Sequence, residues 1–449
     1  MTVASTDLAP PPPLAAGVAA EAWALLRLAT PIMLFCLVNM GMSVTDAVMV
    51  TTLFGAEALA AVAVGSDLYS ILLYLGAGVL AGFAPLYTAA VVRADAAERA
   101  RLERTGRLVA ALVAAALAPL VWTAPDWLGL LGLDPALLAV GRGYTQAMAA
   151  TLVPMLGVTL YRTVLTAAEK PKVFLKVTLA MLPLNAAADY VLMAGVGPLP
   201  AFGPAGSGLG SLVVAVASLA ILMRLGRVAS APRAGGIDWQ LLTRALRVGL
   251  PIGVATVAEV GVFLAATLYA ARLGAADVAA HTLALRTAGV AYAVPTALLQ
   301  AAMVRSARAE ALADPLLRRA VRASGFGLGL GAGALLLAAI ALGAAPLAGW
   351  FFDPSPVGLA AANLVVGLLL LLGAMELAGA LGAVAAGLLR GRQITRAPMA
   401  YTLAGHWAFG APLGVSLCEA LSLGVTGLWI GLAAGTWVSA ALTVVRATR

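Results

Sequence analysis

Five carboxylates and one guanidinium stand inside long apolar runs of this 449-residue chain: Asp46, Asp67, Asp189, Glu259 and Glu376 against Arg286. An ionisable side chain at such a place costs a few kcal/mol unless a partner or a function compensates, so each is a candidate by default. The excess of acids suits a cavity that binds cations or protons, whereas a cavity for anions is expected to present Arg or Lys. In PLNAAADYVLM, Asp189 follows Asn185 by one helical turn. Amide and carboxylate therefore share a face and could coordinate one hard cation or hold one proton. Ser207, at the start of the next run, could add a hydroxyl. Glu259 and Glu376 fall near the middle of their runs, and Asp46 falls nearer the end of its own.

Other residues of chemical type carry less. His281 and His406 lie in or near apolar runs and are read as packed, hydrogen-bonded imidazoles rather than proton relays. The string 329–334, GLGAGA, fits a dinucleotide pattern on paper, yet it lies inside an apolar helix with no acid some twenty residues later, so it is read as helix packing. Two cysteines, Cys36 and Cys418, make neither a disulfide framework nor zinc spacing. With no GxxxxGK[ST] string, no His/Asp cluster and no Ser–His pairing, the chain is expected to be neither ATP-driven nor an enzyme, to have no catalytic residues and to need no cofactor.

The elements that must position these groups follow from composition. The chain is 62% hydrophobic and 11% charged, with a mean hydropathy of +0.99; a soluble chain carries roughly 25% charge. The solvent is therefore mostly lipid. Forty-eight glycines and abundant alanine suit helices that approach closely in hydrocarbon, and apolar runs of twenty or more residues exclude the alternating strands of a membrane barrel. A sliding window places twelve transmembrane helices at roughly 25–50, 58–92, 107–124, 136–160, 173–195, 205–226, 243–272, 276–304, 321–347, 357–389, 398–417 and 424–445. Of 28 Lys and Arg, 25 fall on one side of these spans. The positive-inside rule then predicts that both termini are cytoplasmic, and the same distribution explains the net charge of +8 without any nucleic acid. By this reading Arg162 and Arg390 belong to the cytoplasmic clusters and Arg286 is the only cation inside the membrane.

The chain also repeats itself. Pro31 in LATPIMLF precedes Pro251 in VGLPIGVA by 220 residues, LFGAEALAAV (53–62) precedes RLGAADVAAH (272–281) by 219, and Gly203, Gly206 and Gly210 recur as Gly424, Gly427 and Gly431. Parallel repeats of this kind place a substrate path between two bundles that can rock. The expected organisation is a disordered cytoplasmic tail over 1–24, a six-helix lobe over 25–235 and a second over 236–449, an all-α polytopic membrane protein. The 219 register also sets Asp67 and Arg286 at equivalent places in the second and eighth spans, which suggests an ion pair between the lobes that opens during transport.

The residues now assembled resemble the multidrug and toxic compound extrusion (MATE) transporters of the flippase superfamily. The resemblance rests on TPIMLFCLVNMGMSVTDAVMV with Asp46, LAAVAVG (59–65), Asn185 with Asp189, GLPIGVATVAE with Glu259, AAHTLALR (279–286), AAGLLRGRQITRAPM (385–399) and GVTGLWIG (424–431). It implies a pair of six-helix lobes, alternating access, and export of small cationic or amphipathic molecules in exchange for H⁺ or Na⁺. By position, Asp46, Asn185 and Asp189 match a first-lobe proton or Na⁺ site, and Glu259 and Glu376 match the second-lobe acids of the NorM branch. Glu376 stands where Asp is more usual, Leu372 where Tyr is often found one turn earlier, and Arg286 where a neutral residue is expected. The resemblance further implies a multi-pass protein of a bacterial inner membrane acting as a monomer, with a lipid or lipid-linked oligosaccharide flippase of the same superfamily as the alternative.

Overall fold

The computed structural model describes residues 14–225 and 238–449. Among the described residues there is no strand. The helices in chain order are α1 (Leu14–Ala81), α2 (Phe83–Val92), α3 (Ala96–Trp122), α4 (Ala124–Leu130), α5 (Pro135–Ala167), α6 (Pro171–Ala194), α7 (Ala205–Leu225), α8 (Trp239–Ala270), α9 (Ala275–Ala291), α10 (Ala293–Ala311), α11 (Pro315–Phe351), α12 (Pro356–Gly391), α13 (Arg396–Thr402), α14 (Ala411–Ala420) and α15 (Gly424–Thr448), with a π-helical stretch, Leu403–Gly410, between α13 and α14.

Among the described residues, ten helical stretches are long and apolar enough to cross a membrane. Gly55 divides the first of them: its φ of 84° lies in the left-handed region, open to glycine at little cost, and turns the chain between two crossings. Helix α13, the π-helical stretch and α14 together supply one crossing more, which completes the expected twelve. The chain begins its first helix earlier than expected. Residues 14–24, assigned from the sequence to a disordered tail, are the opening turns of α1, and Glu21 there is buried. The expected lobe boundary near Gly235 and residues 1–13 of the tail lie outside the described residues.

The repeat is visible in backbone conformation. Gly55 and Gly274, 219 residues apart, both take positive φ (84° and 147°), as do Ala94 and Ala313 at 54° and 53°. Asp95 and Asp314, in the same register, each accept hydrogen bonds from the first amides of the helix that follows, α3 and α11. These carboxylates satisfy N–H groups that an α-helix leaves without a partner at its start.

Two of the seams that join the halves differ in kind. Along the first, the second arm of α1 and the residue after it cross α8 backbone to backbone: a Cβ on Gly78 would overlap the Gly253 backbone, and one on Gly82 would stand 2.7 Å from Gly249 Cα. Glycine at these four positions lets the helices meet with no side chain between them. The second seam is made of side chains. Ala29 on α1 and Ala297 and Ala301 on α10 are buried in one apolar cluster with Leu25, Leu28 and Ile32. Below it Arg305 of α10 reaches across the halves. Its Nε and Nη2 donate to Glu21 at 2.9 and 2.6 Å, and its Nη1 donates to Glu169 Oε1 at 2.7 Å. Every guanidinium nitrogen is thereby used, as a buried charge requires.

Candidate functional site

In the first half, α6 carries Asn185 and Asp189 on one face, toward Asp46 of α1. The Asn185 amide donates to Asp189 Oδ2 at 2.6 Å and to Asp46 Oδ1 at 3.2 Å. Asp189 is 0% exposed and Asn185 is 3% exposed. The carboxyls of Asp46 and Asp189 are themselves within hydrogen-bonding reach of each other. Asp189 Oδ1 is buried with no hydrogen-bond partner among the described residues. It lies against Gly210 of α7, where any Cβ would overlap it. One turn earlier, Gly206 faces the backbone of Leu192 and Met193, so α7 comes close enough to wall the carboxyl off from lipid. Two carboxyls this close do not both remain ionised without a cation between them; in its absence one of them takes a proton. The Tyr144 hydroxyl of α5 lies near Ser66 and in the field of Asp46, Asp67 and Asp189. Ser207 is buried at the start of α7, but it makes no hydrogen bond with Asp46, Asn185 or Asp189 among the described residues.

The second half holds a cavity of about 110 Å³ that Glu259 of α8, Tyr292, and Glu376 and Arg390 of α12 line together with His406 of the π-helical stretch. Glu376 is 5% exposed. The two acids share this cavity without an ion pair, and Glu259 lies in the field of Arg390. The π-helical stretch aims its side chains at α8 and α15: Trp407 Nε1 donates to the Ala258 carbonyl at 2.8 Å, beside Glu259, and His406 Nε2 meets Thr436 Oγ1 at 3.3 Å. A π-helix inside a crossing is rare and recurs at functional sites. His281 is a packed imidazole, as expected. Its Nδ1 accepts from Trp429 Nε1 at 3.1 Å, and its Nε2 meets Thr267 Oγ1 at 2.9 Å.

Two cations are not where the loop count puts them. The Arg162 guanidinium turns back along α5 and stacks over the Phe35 ring at 4.9 Å, near Cys36 and Tyr74. Arg390 turns into the second cavity, where its Nε is buried without a hydrogen-bond partner among the described residues. Arg286 is therefore not the only cation within the apolar body. The reason is the length of the side chain: an Arg near a helix end can send its head group along the helix in either direction. Asp67 and Arg286 are both exposed and attract each other across the halves, but no ion pair joins them.

The model of the MatE family matches residues 31–191 and 251–416, one stretch in each half and most of the chain. The chain belongs to the MATE family. Among curated relatives it is 31% identical over 428 residues to the probable multidrug resistance protein NorM of Bradyrhizobium diazoefficiens, covering 94% of this chain and 92% of that one. The NorM of Burkholderia mallei is 33% identical over 443 residues, covering 95% and 92%. Among solved structures, the eukaryotic MATE transporter AtDTX14 superposes with a TM-score of 0.85 at 20% identity over 96% of each chain. An outward-facing MATE family transporter superposes with a TM-score of 0.84 at 18% identity over 95% of each. The matched fold is that of an all-helical, multi-pass membrane protein. The expected reading of the spans, the repeat and the family stands. Tyr292, Arg390, Trp407 and the π-helical stretch were missed from the sequence, since none of them follows a periodicity or a spacing.

Proposed function

We propose that this chain is a secondary active multidrug exporter that returns H⁺ or Na⁺ into the cell as it expels small cationic or amphipathic molecules. The observation that carries the reading is the buried Asp46–Asn185–Asp189 cluster: two carboxyls and one amide within reach of each other, one oxygen unsatisfied and no cation beside them. A proton or a monovalent cation supplies what that cluster lacks, and a cationic substrate competes for the same negative charge. Binding of one then favours release of the other through the populations of the outward and inward states. The multidrug names of the NorM relatives support the substrate class. The positive-inside count supports cytoplasmic termini, and the Arg305–Glu21–Glu169 cluster then lies on the cytoplasmic side, where rocking of the lobes must break it. The protein acts as a monomer, since each chain supplies both lobes.

The test is efflux of a fluorescent organic cation from proteoliposomes under an imposed Na⁺ gradient and, separately, a pH gradient. Drive by one gradient, abolished by Asp189→Asn in a folded protein, is the expected result and names the ion. Absence of flux under both gradients would overturn the antiporter and favour the flippase.

A further inference from the structure

The second-lobe cavity holds two acids, like the first-lobe cluster, yet differs from it in one respect: it contains its own cation. Every group of variable or fixed charge that faces it can be named. Glu259 comes from α8, Tyr292 from the junction of α9 and α10, Glu376 and Arg390 from α12, and His406 from the π-helical stretch; α15 contributes no charged group, and its polar lining there is hydroxyl, among it Thr436. Arg390 is the one fixed positive charge in that set. Its Nε is buried with no hydrogen-bond partner among the described residues, and its field falls on Glu259 and Tyr292. A guanidinium with a buried, unsatisfied N–H costs free energy, and the carboxylate that lines the same cavity offsets part of it through its field. The first-lobe cluster has no such tether: among the described residues, the side-chain nitrogen that bonds its two carboxyls is the neutral amide of Asn185.

We propose that Arg390 is a resident counter-ion, a tethered cation that occupies for Glu259 the place a mobile ion would take, so that the second lobe binds no coupling ion while Arg390 is in place. The inference rests on the antiport reading and sharpens it, because it confines coupling to the first lobe and makes Arg390 the residue that decides how many ions move per substrate. With Glu259 held in the field of Arg390, Glu376 is left as a buried carboxyl with no cation of its own, which a single proton renders neutral.

The experiment measures ion binding rather than transport, so that it fails independently of the antiport reading. Purified Asp189→Asn protein, in which the first-lobe site is disabled, is heated in NaCl and in equal choline chloride, and its proton uptake is followed between neutral and mildly acidic pH. With Arg390 intact, no Na⁺-dependent rise in Tm is expected. Adding Arg390→Gln uncovers Glu259, and the double variant gains either a saturable Na⁺-dependent rise in Tm or one further proton per chain; Glu259→Gln removes the gain and Arg390→Lys does not produce it. A folded Asp189→Asn/Arg390→Gln protein that gains neither overturns the proposal. So does a Glu259-dependent Na⁺ shift in Asp189→Asn with Arg390 intact, a measurement that decides the matter even where Arg390→Gln does not fold. Loss of transport in Asp189→Asn bears on the antiport reading alone.

Discussion

At the junction of α6 and α7 the first half of the molecule carries Asn185, Asp189 and Gly210, and 221 residues later the second half carries His406, Gly410 and Gly431 at the same junction. The shared glycine serves opposite ends. Gly210 leaves room for a carboxylate oxygen, whereas Gly431 leaves room for backbone, with the Gly410 carbonyl and Gly414 Cα so close that a Cβ would overlap both. Where one half stores a charge, the other closes its helices. The second half puts its acids elsewhere, on α8 and α12, and sets an arginine among them. A duplicated scaffold thus fixes where helices turn and cross, and leaves free which of the crossings carries charge.

The largest effect expected from breaking this asymmetry is on transport. Asp189→Asn should reduce gradient-driven efflux to the protein-free background, while Glu376→Gln retains part of it; equal losses in the two, measured in the same proteoliposomes, would erase the distinction between the halves. Next in size is the seam the halves share. Glu21→Ala leaves the buried Arg305 with Glu169 alone, and removal of one partner from a buried pair costs about 3–5 kcal/mol. Thermal melts in detergent should show that loss, and an unchanged melt would remove the cluster from the account of how the halves are held. A smaller contrast separates the two glycines. Gly431→Ala presses on backbone that cannot rotate away and should cost about 1–3 kcal/mol. Gly210→Ala meets the Asp189 carboxylate first and its backbone less closely than Gly431→Ala meets backbone, and should weaken ion dependence with a smaller loss of stability. The smallest effect is expected at Asp67 and Arg286, which are exposed and not in contact: either single charge reversal should slow efflux modestly, and the double reversal should restore it. Failure of that rescue would show that the two charges act separately.

How far the sequence could be read depended on what kind of signal each residue leaves. Hydropathy located the crossings because lipid demands an apolar helix of about 20 residues. The repeat was legible because Gly55 and Gly274 must both take conformations that glycine favours. Asn185 and Asp189 were legible as a pair because their separation is one helical turn. Asp46 joins them from another helix, so no spacing tied it to them; its apolar surroundings and the family-like string around it marked it. Arg162 and Arg390 were misplaced because counting charges at helix ends locates the Cα and not a head group that reaches several ångströms from it. The early start of α1 was hidden by the prolines before it, which say nothing about where a helix resumes. The π-helical stretch leaves no signal in hydropathy or spacing, because a widened turn keeps the same apolar composition as the α-helix around it.

The crossing of α1 on α8 has a mechanical meaning. Gly78, Gly82, Gly249 and Gly253 bring two backbones together with nothing between them. A contact without side chains has no rotamers to rearrange and no knobs to lift out of holes, so it resists compression while offering little friction to rotation. The halves therefore meet backbone to backbone along one seam and side chain to side chain along the other, and only the second has rotamers to rearrange and an ion cluster to open.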